Sequence, residues 1–571
     1  MKFNYFRNTF LTLVTSCFFL FILNVFIGSC AQQGRPSGGA YDRTPPKAVR
    51  YQPDSASVHF DAKSIEITFD EYIQLQELNT QLLISPPLEY QPDITAKKKI
   101  LSIVFDKKEV LKPNSTYTIR LGKALRDNHE ATPLEDFKYI FSTGSYIDSL
   151  TIGGNIRYAF DHKAEKNILV MLYSDLSDSA IYKKQPEYFD KTNDAGYFNI
   201  TNVRPGKYKI VALKDENNNY RYNEGEIIGF LDTLVEAGKN DGLLISLFKE
   251  DPKKIFLKKK QHDGYGRFSF IFNTGSDSFH LNILNKEQYK DVKHFVQHSK
   301  YNDTLTLWVD YIDRDSLVIQ STNGNTILDT IKFSKLVKKE FALKNSRGPL
   351  KLLMKNSLNG MVDLNNPLRF TPSHPLVKID TMLPVILKED TLEYKKYPLV
   401  YKKTDSLLGL VVLTTTQTIE LKKTTRNPLL KENTDYNLLI LPGTFTDFFG
   451  LTNDSIKLNW KTKEEKYYGT LELKIDFDPP GGGDYIIQLL DEKETVVRQT
   501  SIDTTQTIFY DFLYPQTYKL KVIFDKNKNG KWDTGDYLKK IQPEKTLYNK
   551  EVITIRSNWD LDLEWKITEP K

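Results

Sequence analysis

Apolar and polar side chains alternate one for one along much of this 571-residue chain. Ile65, Ile67 and Phe69 flank Glu66 and Thr68; Leu101, Ile103 and Phe105 follow, then Tyr117, Ile119 and Leu121. Near the end, Leu471–Ile475 and Leu561–Ile567 read the same way. Successive side chains of a strand point to opposite faces, so such runs predict half-buried antiparallel strands. Turn formers interrupt them at short intervals: Pro86-Pro87, Asn114-Ser115, Pro205-Gly206 and Pro479–Gly483. No helical periodicity is sustained, although Glu71–Leu82 has room for one short helix. Short strands at this spacing predict an all-β chain of sandwiches.

The chain also repeats itself. Leu111-Lys-Pro-Asn-Ser-Thr-Tyr-Thr-Ile119 matches Leu430-Lys-Glu-Asn-Thr-Asp-Tyr-Asn-Leu438 at an offset of 319, and there Phe141-Ser-Thr-Gly144 falls on Trp460-Lys-Thr-Lys463. At an offset of 310, Tyr208-Lys-Ile-Val-Ala-Leu-Lys-Asp215 falls on Tyr518-Lys-Leu-Lys-Val-Ile-Phe-Asp525. Two different modules thus occur twice in the same order. A period this long means tandem domains rather than a stacked solenoid.

Residues 45–146 resemble a bacterial Ig-like domain of the S-layer (SbsA) type. The marks are Pro45-Pro46, Ile65–Asp70, Leu111–Ile119, Ala124–Asp127 and the closing Phe141-Ser-Thr-Gly144. Residues 348–464 repeat the pattern more loosely, with Pro442-Gly443 before Asp447-Phe-Phe-Gly450 and Trp460-Lys-Thr at the close. Residues 147–250 and 465–571 resemble transthyretin-like (prealbumin-like) sandwiches, and the module order resembles multi-domain lipoproteins of Bacteroidetes-type bacteria. Residues 251–347 are a central β-rich segment without a signature, with strands expected at Phe268–Phe272, Thr304–Asp310 and Ser316–Gln320. The resemblance implies tandem Ig-like and transthyretin-like sandwiches in an elongated chain, and no common activity. Five modules of about 100 residues are ordinary domain sizes.

The N-terminus carries a different signal. Lys2 and Arg7 precede an apolar stretch densest over Cys17–Ile27, about the length of a signal-peptide core and short for a membrane span. Ile27-Gly28-Ser29-Cys30 then resembles a bacterial lipobox, which assigns 1–29 to a signal peptide, Cys30 to lipidation and 30–44 to a polar, Gly- and Pro-rich tether. With Cys17 in the leader and Cys30 lipidated, neither of the two cysteines is left for a disulfide, a zinc-thiolate site or a nucleophile. Lys2 and Arg7 leave with the leader, so the mature chain keeps only a small positive excess over its 73 acids. Its lysine runs, Lys97–Lys99 and Lys258–Lys260, are short, and nucleic acid is not an expected partner. Ala31-Gln32-Gln33 lacks both the aspartate resembling an inner-membrane retention signal and the acidic cluster resembling a surface-export tag. That favours the periplasmic face of the outer membrane.

The segment richest in chemistry is Asp525-Lys-Asn-Lys-Asn-Gly-Lys-Trp-Asp-Thr-Gly-Asp536. Asp525, Asn527, Asn529, Asp533 and Asp536 occupy positions 1, 3, 5, 9 and 12, with Gly530 at position 6, the ligand order of an EF-hand calcium loop. The equivalent loop keeps oxygens at Asp215, Asn217, Asn219, Asn223 and Glu226, but Tyr220 replaces the glycine and makes the turn harder to form. Calcium is the one cofactor these loops imply; the competing reading is an Asn/Asp hairpin capping its own backbone. His294 and His298 have the spacing of a zinc helix without its glutamate and read as two surface histidines. The Gly-Lys pairs lack a following Ser or Thr, no G-x-S-x-G occurs, and nothing selects an acid pair for glycoside chemistry. Asp70, Glu71 and Asp127 read as turn caps, and Tyr117, Phe141, Tyr208, Tyr436 and Tyr518 as core.

These readings describe a membrane-anchored, rod-like envelope lipoprotein without enzymatic activity, a scaffold or adhesion module with an envelope protein or polysaccharide as partner. The alternative is a glycan-binding or glycan-processing lipoprotein, favoured by an exposed aromatic platform or a buried acid pair. Metabolic labelling with a fatty-acid analogue should mark the wild type and not Cys30→Ala; equal labelling of both refutes lipidation there.

Overall fold

The computed structural model describes residues 42–569 apart from 136, 240–241, 264–265, 286–291, 300, 311–315, 335, 337–351, much of 355–429, and 479–482. The leader, Cys30 and most of the tether therefore lie outside the described residues, as does most of the Pro479–Gly483 turn. The chain divides into two compact units, Met1–Ser149 and Leu150–Lys571.

The first unit is a sandwich. One sheet runs in the order Ala48–Gln52, Ser64–Phe69, Ile100–Val104, Asp93–Lys97; the other runs Leu83–Ser85, Thr116–Arg120, Lys138–Ser142. The alternation acts as expected: Ile65, Ile67, Leu101, Ile103, Ile119 and Phe141 are buried in one core. A single helical turn, Leu78–Gln81, falls inside the stretch with room for a helix. The Leu111–Ile119 repeat owes its pattern to three contacts. Asn114 takes the left-handed conformation at φ 50° that a turn here requires and that asparagine tolerates. Tyr117 packs flat on Phe141, centroids 5.1 Å apart, while its buried hydroxyl accepts the Lys112 N–H at 2.8 Å. Thr143 Oγ1 accepts the Ser115 N–H and donates to the Lys112 carbonyl.

The later copy repeats all three. Asn433 has φ 48°, the Tyr436 hydroxyl accepts the Lys431 N–H at 2.7 Å, and Thr462 Oγ1 bonds Thr434 N and the Lys431 carbonyl. Trp460 replaces Phe141 and keeps the stacking, lying on Tyr436 at 5.5 Å, although its buried indole N–H has no hydrogen-bond partner among the described residues. The short pair Leu376–Ile379 with Phe445–Asp447 likewise repeats Ile73–Leu75 with Leu125–Asp127.

Within the second unit the other repeat keeps its strand partners but not its sheet closure, since the earlier copy is one continuous path and the later copy two sheets. In the earlier copy the path runs Tyr188–Lys191, Leu169–Tyr173, Lys207–Lys214, Ile227–Phe230, Leu243–Lys249, Leu150–Tyr158, Tyr197–Val203. The later copy places Val496–Ile502, Asp484–Leu490, Thr517–Asp525 and Thr546–Tyr548 in one sheet, and Gln506–Leu513, Gly469–Phe477 and Asp560–Ile567 in another. Both hold an unusual parallel pair, Leu150–Tyr158 with Leu243–Lys249 and Gly469–Phe477 with Asp560–Ile567. Both lock the Tyr-led strand by its hydroxyl: Tyr208 donates to the Arg204 carbonyl at 3.0 Å and Tyr518 to the Tyr514 carbonyl at 2.9 Å.

The central segment forms two sheets, with the expected strands at Arg267–Phe272, Thr304–Val309 and Ser316–Asn323. Phe448 and Phe449, from the Asp447-Phe-Phe-Gly450 turn, complete its core. His294 and His298 lie on a strand rather than a helix, both exposed. At strand rise they stand roughly 13 Å apart, too far for one ion.

The tyrosine hydroxyl of each Ig-like turn satisfies a backbone donor beside a buried ring. Tyr436→Phe should cost about 1–3 kcal/mol and Tyr117→Phe a similar amount, read by denaturant unfolding. Loss of less than a few tenths in both would remove the hydroxyl from the account.

Candidate functional site

The acid–amide loops follow equivalent strands, Lys207–Lys214 and Thr517–Asp525, and close in the same way. Asp525 Oδ1 accepts the Asn529 N–H and Oδ2 the Gly530 N–H; Asp215 does the same for Asn219 and Tyr220. Asn527 and Asn217 accept the N–H two residues on, as do Asn529 and Asn219. Gly530 sits at φ 76° and Tyr220 at φ 59°. The sharp turn therefore forms without the glycine. The Tyr220 ring, packed edge-on against Phe189 at 5.0 Å, offsets the strain.

The twelfth positions diverge. Glu226 closes its loop, accepting the Glu216 and Asn223 N–H groups. Asp536 does not close its own: it faces Lys539, which supplies both a backbone N–H and an ammonium at 3.0 Å. The closing carboxylate is Glu544, whose two oxygens accept the Lys526 and Asp533 N–H groups. Asn223 is three residues from Glu226, whereas Asp533 is eleven from Glu544. An excursion eight residues longer has displaced the closing acid, and sequence spacing could not find it. Asp533 takes the Asn527 and Asn529 side-chain amides instead. Burial, with Asp533 and Asp525 nearby, raises the Glu544 carboxyl above its ordinary value. Among the described residues no group of three or more His, Cys, Asp or Glu is placed to hold a metal ion.

The excursion reaches the other copy of the same sandwich. Thr534 Oγ1 donates to the Lys249 carbonyl at 2.7 Å, and Gln542 Nε2 to the Phe230 carbonyl and Asp232. Gly535 passes so close to Phe248 that a Cβ would lie 2.7 Å from its ring. At the tip Tyr537 meets Phe230 edge-on at 5.3 Å, and its N–H donates to Glu250. Glu250 is buried and also accepts the Tyr222 hydroxyl at 2.7 Å.

A second patch joins the same two sandwiches. Thr546 Oγ1 donates to the Ala159 carbonyl and meets His162 Nε2 at 2.9 Å; Phe160 packs edge-on against Trp532. Lys521, 1% exposed, points its ammonium at the Phe160 ring, 3.0 Å from the centroid, with Tyr548 at 5.4 Å. Lys163 bridges Asp161 and Glu494 beside it. Burial pulls the Lys521 amine down to about 7 against the opposing pull of Asp161 and Glu494, and burial with Lys521 nearby also lowers His162. Nothing in the alternation marked Lys521, since its counterpart in the earlier sandwich is the buried Val211.

The remaining candidates are structural. The Asp127 carboxylate accepts the N–H groups of His129, Glu130 and Thr132, which outweigh burial and hold the carboxyl below its ordinary value. Asp447 accepts those of Phe449 and Leu451 and pairs with His374 at 2.9 Å. Asp70 caps the Lys47 N–H.

Residues 42–143 match the family of bacterial Ig-like domains. That stretch is the first sandwich. None of the curated proteins matches the chain. Among solved structures it is similar to the Bacillus anthracis TIE protein, at 9% identity over 94% of this chain and 76% of that one, TM-score 0.14. Others are the major pilin subunit BcpA of Bacillus cereus (8%, 73% and 99%, 0.14) and the S-layer protein SbsC (10%, 86% and 67%, 0.13). Scores this low do not superpose whole chains and carry no functional inference.

Between about pH 7 and the ordinary lysine value of 10.5, the unfolded chain binds more protons at Lys521 than the folded one. Stability contributed there rises with pH across that window, and the full burial cost remains below it. Lys521→Met should therefore raise the melting temperature near pH 6 to 7, by a margin that shrinks toward pH 10. A variant less stable than wild type at pH 6 would mean that attraction to the rings, worth about 2 kcal/mol when desolvated, outweighs burial.

Proposed function

We propose that this chain is a membrane-anchored envelope scaffold without catalytic activity of its own, lipidated at Cys30 on the periplasmic face of the outer membrane. Its two related sandwiches clasp each other. The anchor part rests on the Ile27–Cys30 sequence; the observation behind the scaffold part is the contact between residues 159–250 and 494–548, made by the Thr534–Gln542 excursion and the Phe160–Lys521 patch. The flanking sandwiches touch, so the clasp stands in parallel with the chain between them, and tension across the unit meets the clasp before it reaches that stretch. The acid–amide loops stiffen the roots of the clasp. Calcium enters this reading as a reinforcement implied by the spacing of Asp525, Asn527, Asn529 and Asp533 in the sequence.

Single-molecule pulling on the mature chain tests this directly. The account expects one rupture before the stretch between the sandwiches extends, at lower force in Tyr537→Ala. Chelation should also lower it, an effect abolished in Asp525→Ala. Extension of that stretch with no prior rupture in the wild type would overturn the scaffold reading.

A further inference from the structure

Where the earlier sandwich runs into the central segment lies a cleft of about 890 Å³, the size of a small-molecule or oligosaccharide site. Its walls are fixed before any ligand arrives. Asn273 staples one side, accepting the Phe256 N–H and donating to the Lys254 carbonyl, both at 2.9 Å. On the other, Glu250 is pinned by Tyr222 and Tyr537, and Glu224 accepts the Lys253 N–H at 2.9 Å. Sites held this way lose little freedom on binding.

Onto this frame the chain places an aromatic ring that the fold does not use. Phe256 is 53% exposed and lines the cleft. Lys249, Lys254 and Lys258 also line it, all exposed, and none forms an ion pair among the described residues. Asp251 and Thr274 line the cleft as well and bring acceptor oxygens to it. A flat apolar face, free ammonium groups and scattered acceptors suit a ligand with an apolar face, many hydroxyls and few negative charges. A pure polyanion would meet Asp251 and Glu224, and a purely apolar ligand would strand the lysines.

We propose that this cleft binds an acidic glycan, a sugar chain bearing carboxylate or phosphate groups, with a pyranose face on Phe256 and its anions at the lysines. The proposal does not rest on the scaffold reading: where the Tyr537 contact of the clasp is lost, the Tyr222 hydroxyl still holds Glu250 from within its own sandwich. Calorimetric titration of the mature chain with an oligogalacturonate tests it, with a neutral malto-oligosaccharide and inorganic phosphate as parallel probes. Oligogalacturonate should bind and weaken with salt, and Phe256→Ala and the pair Lys254→Gln with Lys258→Gln should each weaken it about tenfold. All three positions are exposed, so melting temperatures should not move. No binding of the oligogalacturonate, equal binding of the neutral sugar, phosphate alone binding as tightly, or indifference to both variants would each overturn the proposal.

Discussion

A buried carboxylate tolerates its burial only when hydrogen bonds replace the lost water, and Glu250 obtains them from two places far apart in sequence. The Tyr222 hydroxyl comes from its own sandwich, and the Tyr537 N–H from the other copy, 287 residues away. The clasp is organised around this acid. Gly535 must be glycine for the excursion to approach Phe248, and Tyr537 fills the space that the approach creates. The Phe160–Lys521 patch then fixes the sandwiches at a second place, which resists rotation about the first.

Each repeated motif proves to be a hydrogen-bond solution. In the Ig-like copies a tyrosine hydroxyl accepts a backbone N–H five residues upstream, and in the other pair it donates to a carbonyl four upstream. The ring occupies the core while the hydroxyl satisfies a turn, so tyrosine cannot be exchanged for phenylalanine without orphaning a polar group. This explains why Phe141 can become Trp460 while the facing tyrosine and Thr143/Thr462 stay unchanged.

Much of this was legible in the sequence, because strands, turns and tyrosine locks depend on neighbours a few residues away. Ile65–Phe69 and Leu561–Ile567 announce themselves by period, and the paired loops by their oxygens. Features that depend on distant partners were not legible. Asp536 has the spacing of a ligand, yet the excursion turns it toward Lys539 and leaves Glu544 to close the loop. Lys521 sits on the outer face of its strand, between the core residues Leu520 and Val522, where alternation expects an exposed polar side chain, and only the other sandwich, through Phe160, buries it. Tyr220 showed that packing can supply what a missing glycine would have given. Separated in sequence by residues 251–464, the two sandwiches are neighbours in space.

Hydrogen–deuterium exchange of the mature chain reads the clasp most directly. Thr534–Gln542 would be an exposed loop if the sandwiches were independent, and its amides would exchange as fast as those at the tip of the 215–226 loop. The account predicts slow exchange at Tyr537, whose N–H is held by Glu250, and at Asp536 and Ile541, which bond each other. Exchange at all three as fast as at Asn218 would contradict it.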